Sequence, residues 1–273
     1  MHVQTGICTF LHDLGEAMHL IRERQDIILQ RLKAGNRVLA ADLAVEFAVS
    51  EDTIRRDLRE MAARGLCERV YGGALPLAPA AGPLKARDNK DDAEKKALGR
   101  LLAGEIHDGM SVFLDASSTN IAAARALPEN LRGVIVTNAP AIAAALDGHR
   151  TLDVIMVGGR IHREVGGAVG ARAIEDLQAF HFDLCLLGAC GVDVEAGLTC
   201  FHYEDALFKR EAAACARRVV TAMTAGKFST RAPCGVIALD ALDALVVTAS
   251  LDPAARAALA ETGLDLICEE DCR

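Results

Sequence analysis

From about residue 91 onward, short apolar runs alternate with stretches of helical periodicity, the pattern of a parallel sheet whose crossovers are helices. Residues 111–115, 134–136, 153–157, 183–187 and 219–223 read as strands, and residues 91–105, 121–127 and 204–217 as helices. The expected fold class is therefore α/β, an open Rossmann-like sheet over residues 91–273. Residues 20–77 follow a different rule and read as three helices and a hairpin. Between the two, residues 78–90 carry two prolines, a glycine and small residues without apolar periodicity, and read as a linker.

In the upstream part, Leu20, Ile21, Ile27, Ile28 and Leu32 recur at helical spacing until Gly35, which can supply a left-handed cap. A second, shorter helix covers about residues 40–47. A third runs over residues 51–63, with Ser50 as a natural N-cap and Thr53 at the third position. On that helix Ile54, Leu58 and Met61 share one face, Arg56 and Arg59 point nearly opposite, and Arg55 flanks them. Residues 66–75 read as two short strands around a Gly72-Gly73 turn, a wing beside the helix.

Two short helices joined by a tight turn, the second bearing outward arginines, form a helix-turn-helix that can enter a major groove. A guanidinium there can donate two hydrogen bonds to guanine or to a phosphate. The competing reading is a solvated helix whose Asp52, Asp57 and Glu60 neutralise those arginines. Net charge over residues 20–77 is only +1, so nonspecific affinity for DNA is modest unless two copies act together.

The whole chain carries a net charge of -8, most of it in residues 78–273. Aromatic residues make up 4% and Trp is absent, which argues against a surface of aromatic platforms for bases. No uncharged apolar stretch approaches the roughly 18 residues that span a bilayer, and the N-terminus lacks the pattern of a secretory signal. A cytoplasmic address without a membrane partner is expected. The nine cysteines are odd in number and include no Cys-x-x-Cys pair, which fits a reducing compartment; Cys185 and Cys190 read as buried free thiols. No metal site and no cofactor are expected.

The hydroxyl-rich stretch 116–120 lies between a strand end and a helix start, where an open α/β sheet can bind an anion. On spacing alone, the favoured reading is that Ser117, Ser118 or Thr119 merely caps the helix. Further strand ends lead into Thr137-Asn138, Gly158-Gly159 and Gly191-Val192-Asp193, loops that can jointly surround a small polar ligand. On spacing alone Lys209 and Arg210 read as exposed, and Lys227 as a solvated loop lysine.

The run Leu43-Ala44, Phe47, Val49-Ser50-Glu51, Thr53-Ile54-Arg55-Arg56-Asp57-Leu58, Gly65, Arg69 and Gly72-Gly73-Ala74 resembles the winged helix-turn-helix of DeoR-type bacterial transcriptional regulators. Tyr71 stands where members usually carry His. The resemblance implies DNA contacts from Ser50, Thr53, Arg55, Arg56, Arg59, Arg69, Tyr71, Gly72 and Gly73. Members tend to begin a few residues before the first helix, which raises the expectation that Met18 is the native start. From about Arg87 to Thr248 the chain also resembles the DeoR-type sensor domain, whose fold is similar to ribose-5-phosphate isomerase and coenzyme A transferases. Such domains sense phosphorylated sugars or related metabolites. Carried over position by position, this implies effector contacts from Asp115, Ser117, Ser118, Thr119, Thr137, Asn138, Gly158, Gly159, Asp193, Lys209 and Lys227. Two departures stand out: Ala116-Ser117 replaces a Ser-Gly or Gly-Gly pair, restricting how closely the backbone can wrap an anion, and Thr224-Ala225 replaces an Asp-Ser pair.

The function expected from the resemblance is a sequence-specific repressor of carbohydrate metabolism genes that leaves its double-stranded DNA operator when a phosphorylated sugar binds. A homo-oligomer is expected, since paired modules on paired half-sites gain avidity. The alternative is a sugar-phosphate isomerase or acyl-transfer enzyme on the same C-terminal fold, with Asp115, Asp193 and Lys227 drafted into acid–base roles.

Overall fold

The computed structural model describes residues 21–32, 37–77, 82–88 and 93–268. The chain divides into two compact units between Leu77 and Ala78. In the first, residues 21–32 form α1, followed by β1 (Val38–Leu39), α2 (Ala40–Glu46), α3 (Glu51–Ala63), β2 (Glu68–Val70) and β3 (Gly73–Leu75). Ile28, Leu32, Leu43, Ile54, Leu58 and Met61 form its core; the stripe read on α3 is the face that packs, whereas on α1 Ile27, read with the stripe, is exposed. Leu20, Gly35, Met18 and the residues before it lie outside the described residues.

The wing is larger than a hairpin, because β1 joins it in the order β1-β3-β2. Two residues are too short a strand to show a period. The turn is Tyr71-Gly72 rather than Gly72-Gly73. Gly73 lies in β3 opposite Leu39, and a Cβ there would be driven into the Val38 carbonyl, so its role is close backbone approach.

The second unit comprises α4 (Leu84–Asp88), α5 (Ala93–Gly104), β4 (Ser111–Leu114), α6 (Ser118–Ala126), β5 (Gly133–Thr137), α7 (Pro140–Ala145), β6 (Leu152–Met156), β7 (Arg160–His162), β8 (Gly167–Val169), α8 (Ala171–Leu177) and β9 (Leu184–Leu187). It continues through β10 (Gly191–Asp193), β11 (Gly197–Cys200), α9 (Tyr203–Ala214), β12 (Val219–Ala222), β13 (Cys234–Gly235), β14 (Ala244–Val246), α10 (Pro253–Ala260) and β15 (Asp265–Ile267). Seven strands pair in parallel in the order β15-β14-β12-β9-β4-β5-β6.

Successive side chains alternate between the sheet's faces. Val112 and Leu114 pack with Leu98, Leu102, Ile121 and Ile142 from α5, α6 and α7. Phe113 points the other way, toward Leu177, Phe208 and Leu259 from α8, α9 and α10. Burial on both faces explains why the strands read as continuous apolar runs. Two antiparallel additions carry no such run, the β7–β8 hairpin and the β10-β11-β13 sheet. Residues 84–88, expected to be linker, instead form α4, with Leu84 only 3% exposed and its amide bonded to the Glu164 carbonyl at 3.2 Å. Among the described residues no helix is long and apolar enough to cross a membrane.

Candidate functional site

The first unit presents its arginines on α3. Ser50 Oγ accepts the Thr53 amide at 3.2 Å and lies 2.9 Å from Thr53 Oγ1, so both hydroxyls are engaged in capping the helix. Arg55 donates to Glu51 at 2.6 Å and to Asp52 at 3.2 Å. The other acids of the helix turn elsewhere: buried Asp57 accepts Arg24 Nε from α1 at 2.6 Å, and Glu60 accepts Gln25 Nε2 at 3.2 Å. Arg56 and Arg59 are exposed and, among the described residues, have no acidic partner. Neutralisation of the helix therefore holds for Arg55 alone. Arg55, Leu58, Arg69, Tyr71, Gly72 and Gly73 line one groove of about 380 Å³ between α3 and the wing, and Tyr71 stands fully exposed at the wing tip.

In the second unit, β4 and β9 are neighbours, yet the chain proceeds from β4 toward β6 and from β9 toward β15. Such a reversal leaves a crevice beyond the carboxyl ends of the two strands. A cavity of about 400 Å³ opens there. Ser117 enters it from the start of α6, Cys190 from the loop after β9, Glu164 from the β7–β8 turn, Arg87 from α4, and Asp205 and Lys209 from α9.

Asp205 and Lys209 are four residues apart and so share a helix face, here turned inward at 4% and 2% exposure. Lys209 Nζ is bonded to Asp115 Oδ2 and lies 3.2 Å from Asp205 Oδ1. Burial opposes the lysine's charge, but the Asp115 and Asp205 carboxylates outweigh it and raise its pKa above the ordinary value. Burial pushes the Asp205 carboxyl upward, against the pull of Lys209. Asp115 Oδ2 also accepts the Gly188 amide at 2.8 Å. A Cβ at Gly188 would meet Ser117 Cβ at 2.6 Å, so the glycine makes room for the serine that stands in the first departure from the family pattern. Asp115 Oδ1 and Asp205 Oδ1 are buried without a hydrogen-bond partner.

Arg87 Nε donates to the Gly82 carbonyl and its Nη2 to the Glu164 carbonyl, both at 3.2 Å. The Glu164 carboxylate lies 2.9 Å from His202 Nε2. Lys227 lies behind the loop after β9, donating to the Ala189 carbonyl at 2.7 Å, and burial lowers its pKa to about 8. Thus neither Lys209 nor Lys227 is the solvated side chain that spacing alone suggested, whereas Arg210 is exposed as expected. Cys185 is buried, but Cys190 is half-buried in the cavity wall.

Of the expected effector residues, Ser117 and Lys209 line the cavity, and Asp115 and Lys227 sit directly behind its wall. Ser117 is also a helix cap, accepting the Asn120 amide at 3.0 Å; Ser118 and Thr119 are buried in the first turn of α6. The others do not line the cavity. Thr137 Oγ1 donates to the Leu114 carbonyl at 2.6 Å, and Asn138 ties the Ala116 amide to the Ala168 carbonyl. The Gly158 amide meets Asp176 Oδ2 at 3.3 Å, a Cβ at Gly159 would press on Ala173, and Asp193 pairs with Arg231 at 2.7 Å. These residues shape neighbouring turns. Arg87, Glu164, Cys190, His202 and Asp205 were missed; only the Asp205–Lys209 spacing carried a legible signal.

The model of the DeoR-like helix-turn-helix domain matches residues 24–78, and that of the DeoR C terminal sensor domain matches residues 90–249. The chain belongs to the DeoR family. It is 30% identical to the glycerol-3-phosphate regulon repressor of Escherichia coli K12, over 83% of this chain and 90% of that one. It is 30% identical to the HTH-type transcriptional repressor GlcR of Bacillus subtilis, over 91% and 96%. Among solved structures, ribose 5-phosphate isomerase A from Neisseria gonorrhoeae aligns at a TM-score of 0.37 and 12% identity, over 50% of this chain and 53% of that one. At that score the likeness bears on neither substrate nor mechanism. This DeoR-family protein is a DNA-binding transcriptional regulator, and the enzyme alternative falls.

Proposed function

We propose that α3 and the wing read a double-stranded operator through Ser50, Thr53, Arg55, Arg56, Arg59, Arg69, Tyr71, Gly72 and Gly73, and that a phosphorylated sugar or polyol in the C-terminal cavity releases the protein from DNA. Repression is in keeping with relatives named as repressors, one of a glycerol-3-phosphate regulon. The protein acts in the cytoplasm as a homo-oligomer, since one nearly neutral DNA-binding unit gains operator affinity by pairing. Asp115, Ser117, Lys209 and Lys227 serve the ligand, with Asp205 added; Ser118, Thr119, Thr137, Asn138, Gly158, Gly159 and Asp193 serve it by holding the surrounding loops.

The observation that carries the reading is the buried Asp115–Lys209–Asp205 cluster at the point where the sheet's strand order reverses. Thermal-shift screening of the full chain with phosphorylated and unphosphorylated sugars tests it. A ligand at 100 times its dissociation constant adds about 2.7 kcal/mol of apparent stability, and the same ligand should abolish retardation of DNA from the gene's own upstream region. Stabilisation only by unphosphorylated sugars, or retardation indifferent to every stabilising ligand, would contradict the proposal.

A further inference from the structure

We infer that Arg87 is the group that grips the effector's phosphate, while the carbon skeleton's hydroxyls turn toward Asp205. This rests on the reading of the cavity as the effector site and assigns its two ends.

Arg87 and Lys209 line the cavity and Lys227 lies behind its wall, and the two lysines are already engaged. Lys209 is matched by two carboxylates, and Lys227 is turned into the Ala189 carbonyl. Arg87 differs, because both of its bonds go to neutral carbonyls. The nearby acids have other partners: Asp88 forms a two-pronged pair with Arg125 at 2.9 Å, and Glu164 meets His202. Among the described residues no carboxylate pairs with the Arg87 guanidinium, although burial already works against its charge. The Asp205 and Asp115 carboxylates act on it from a distance, but among the described residues none is bonded to it; such a guanidinium facing a cavity suits an anion, and its planar fork matches the geometry of a phosphate.

Asp205, in the same lining, has the opposite need. It is 4% exposed; its Oδ1 has only the ion pair with Lys209 at 3.2 Å, and Asp115 Oδ1 behind it is buried without a hydrogen-bond partner. Buried carboxylate oxygens call for donors, and sugar or polyol hydroxyls are donors that a phosphate dianion is not. Together the two ends select a phosphomonoester of a polyhydroxylated skeleton; a free sugar meets one end and inorganic phosphate the other. Arg87 lies ten residues beyond Leu77, where the DNA-binding unit ends. The phosphate is therefore held by the stretch of chain that leads into that unit.

The test is calorimetric titration of the full-length protein with glycerol 3-phosphate, fructose 1-phosphate, glucose 6-phosphate, their unphosphorylated counterparts and inorganic phosphate. Arg87→Gln should weaken binding of the preferred ester about 10- to 100-fold, and Arg87→Lys by less. Asp205→Asn should weaken the ester without weakening inorganic phosphate. A folded Arg87→Gln that binds the ester like wild type would move the phosphate elsewhere while leaving the effector cavity in place. If Arg87→Gln does not fold, Arg87→Lys decides, and undiminished affinity overturns the assignment. Failure of every ester to bind the wild type would remove the cavity reading itself.

Discussion

Arg55 and Arg56 are adjacent in sequence, yet their surroundings differ: Arg55 is held by Glu51 and Asp52, while Arg56 faces solvent unpaired among the described residues. Base readout demands a guanidinium free to present its fork. Arg56→Ala should therefore weaken operator binding by about 1–3 kcal/mol, and Arg55→Ala by less, measured by gel retardation at fixed salt. Equal losses would show that the Arg55 pairs yield to DNA. In the second unit, Lys209 is the charge that permits two carboxylates to be buried. Lys209→Met should lower unfolding stability by about 3–5 kcal/mol in urea, because removing one partner strands the others. Adding Asp115→Asn and Asp205→Asn should recover much of that loss, and a triple variant no more stable than Lys209→Met would argue that packing around Lys209, not charge, is what matters.

At the scale of elements, α3 was legible from residues 51–63 because cap, apolar stripe and charged face all lie within one segment. Four central strands, β4, β5, β9 and β12, were legible because burial on both faces makes each an apolar run; β6 was legible too although it lies at the sheet's edge, and the short central β14 was not read. The wing's third strand was not, since β1 is defined only by its partner β3. Gly73→Ala tests that partnership: the added methyl meets the Val38 backbone and should destabilise the first unit by about 1–3 kcal/mol, as overpacking does. Gly72→Ala is strained for a different reason, its φ of +81° with open space around it, so amide exchange should quicken in β1 for the Gly73 variant but not for the Gly72 variant. Helix α4 was misread for a related reason: proline, glycine and small residues describe both a linker and a short helix laid against a domain, and only Leu84 entering the core separates them.

For the molecule as a whole, the pH dependence of stability carries a signature of the loop behind the cavity. Lys227 titrates at about 8 in the folded protein and near 10.4 when unfolded. Between those values the unfolded chain binds a proton that the folded one lacks, so this lysine makes stability rise with pH over that window. Thermal melts from about pH 7.5 to 10 should show a steeper rise for wild type than for Lys227→Met; parallel curves would mean that the ammonium stays hydrated in the fold.

The sequence alone settled the two-part organisation, the arginine-bearing helix, the α/β class and the family, because each depends on local periodicity or on contiguous motifs. It also pointed to Ser117 from its place between a strand end and a helix start, and to Asp115, Lys209 and Lys227 through the resemblance; by spacing, the two lysines looked solvated. What only the tertiary structure decided is which charges meet. Asp115, Asp205 and Arg87 come from a strand end, a helix and a stretch that reads as linker, and the distance between them in space is fixed by how the parallel sheet reverses its order between β4 and β9. Electrostatics and burial act over that distance rather than along the chain, so no pattern of neighbouring residues announces them.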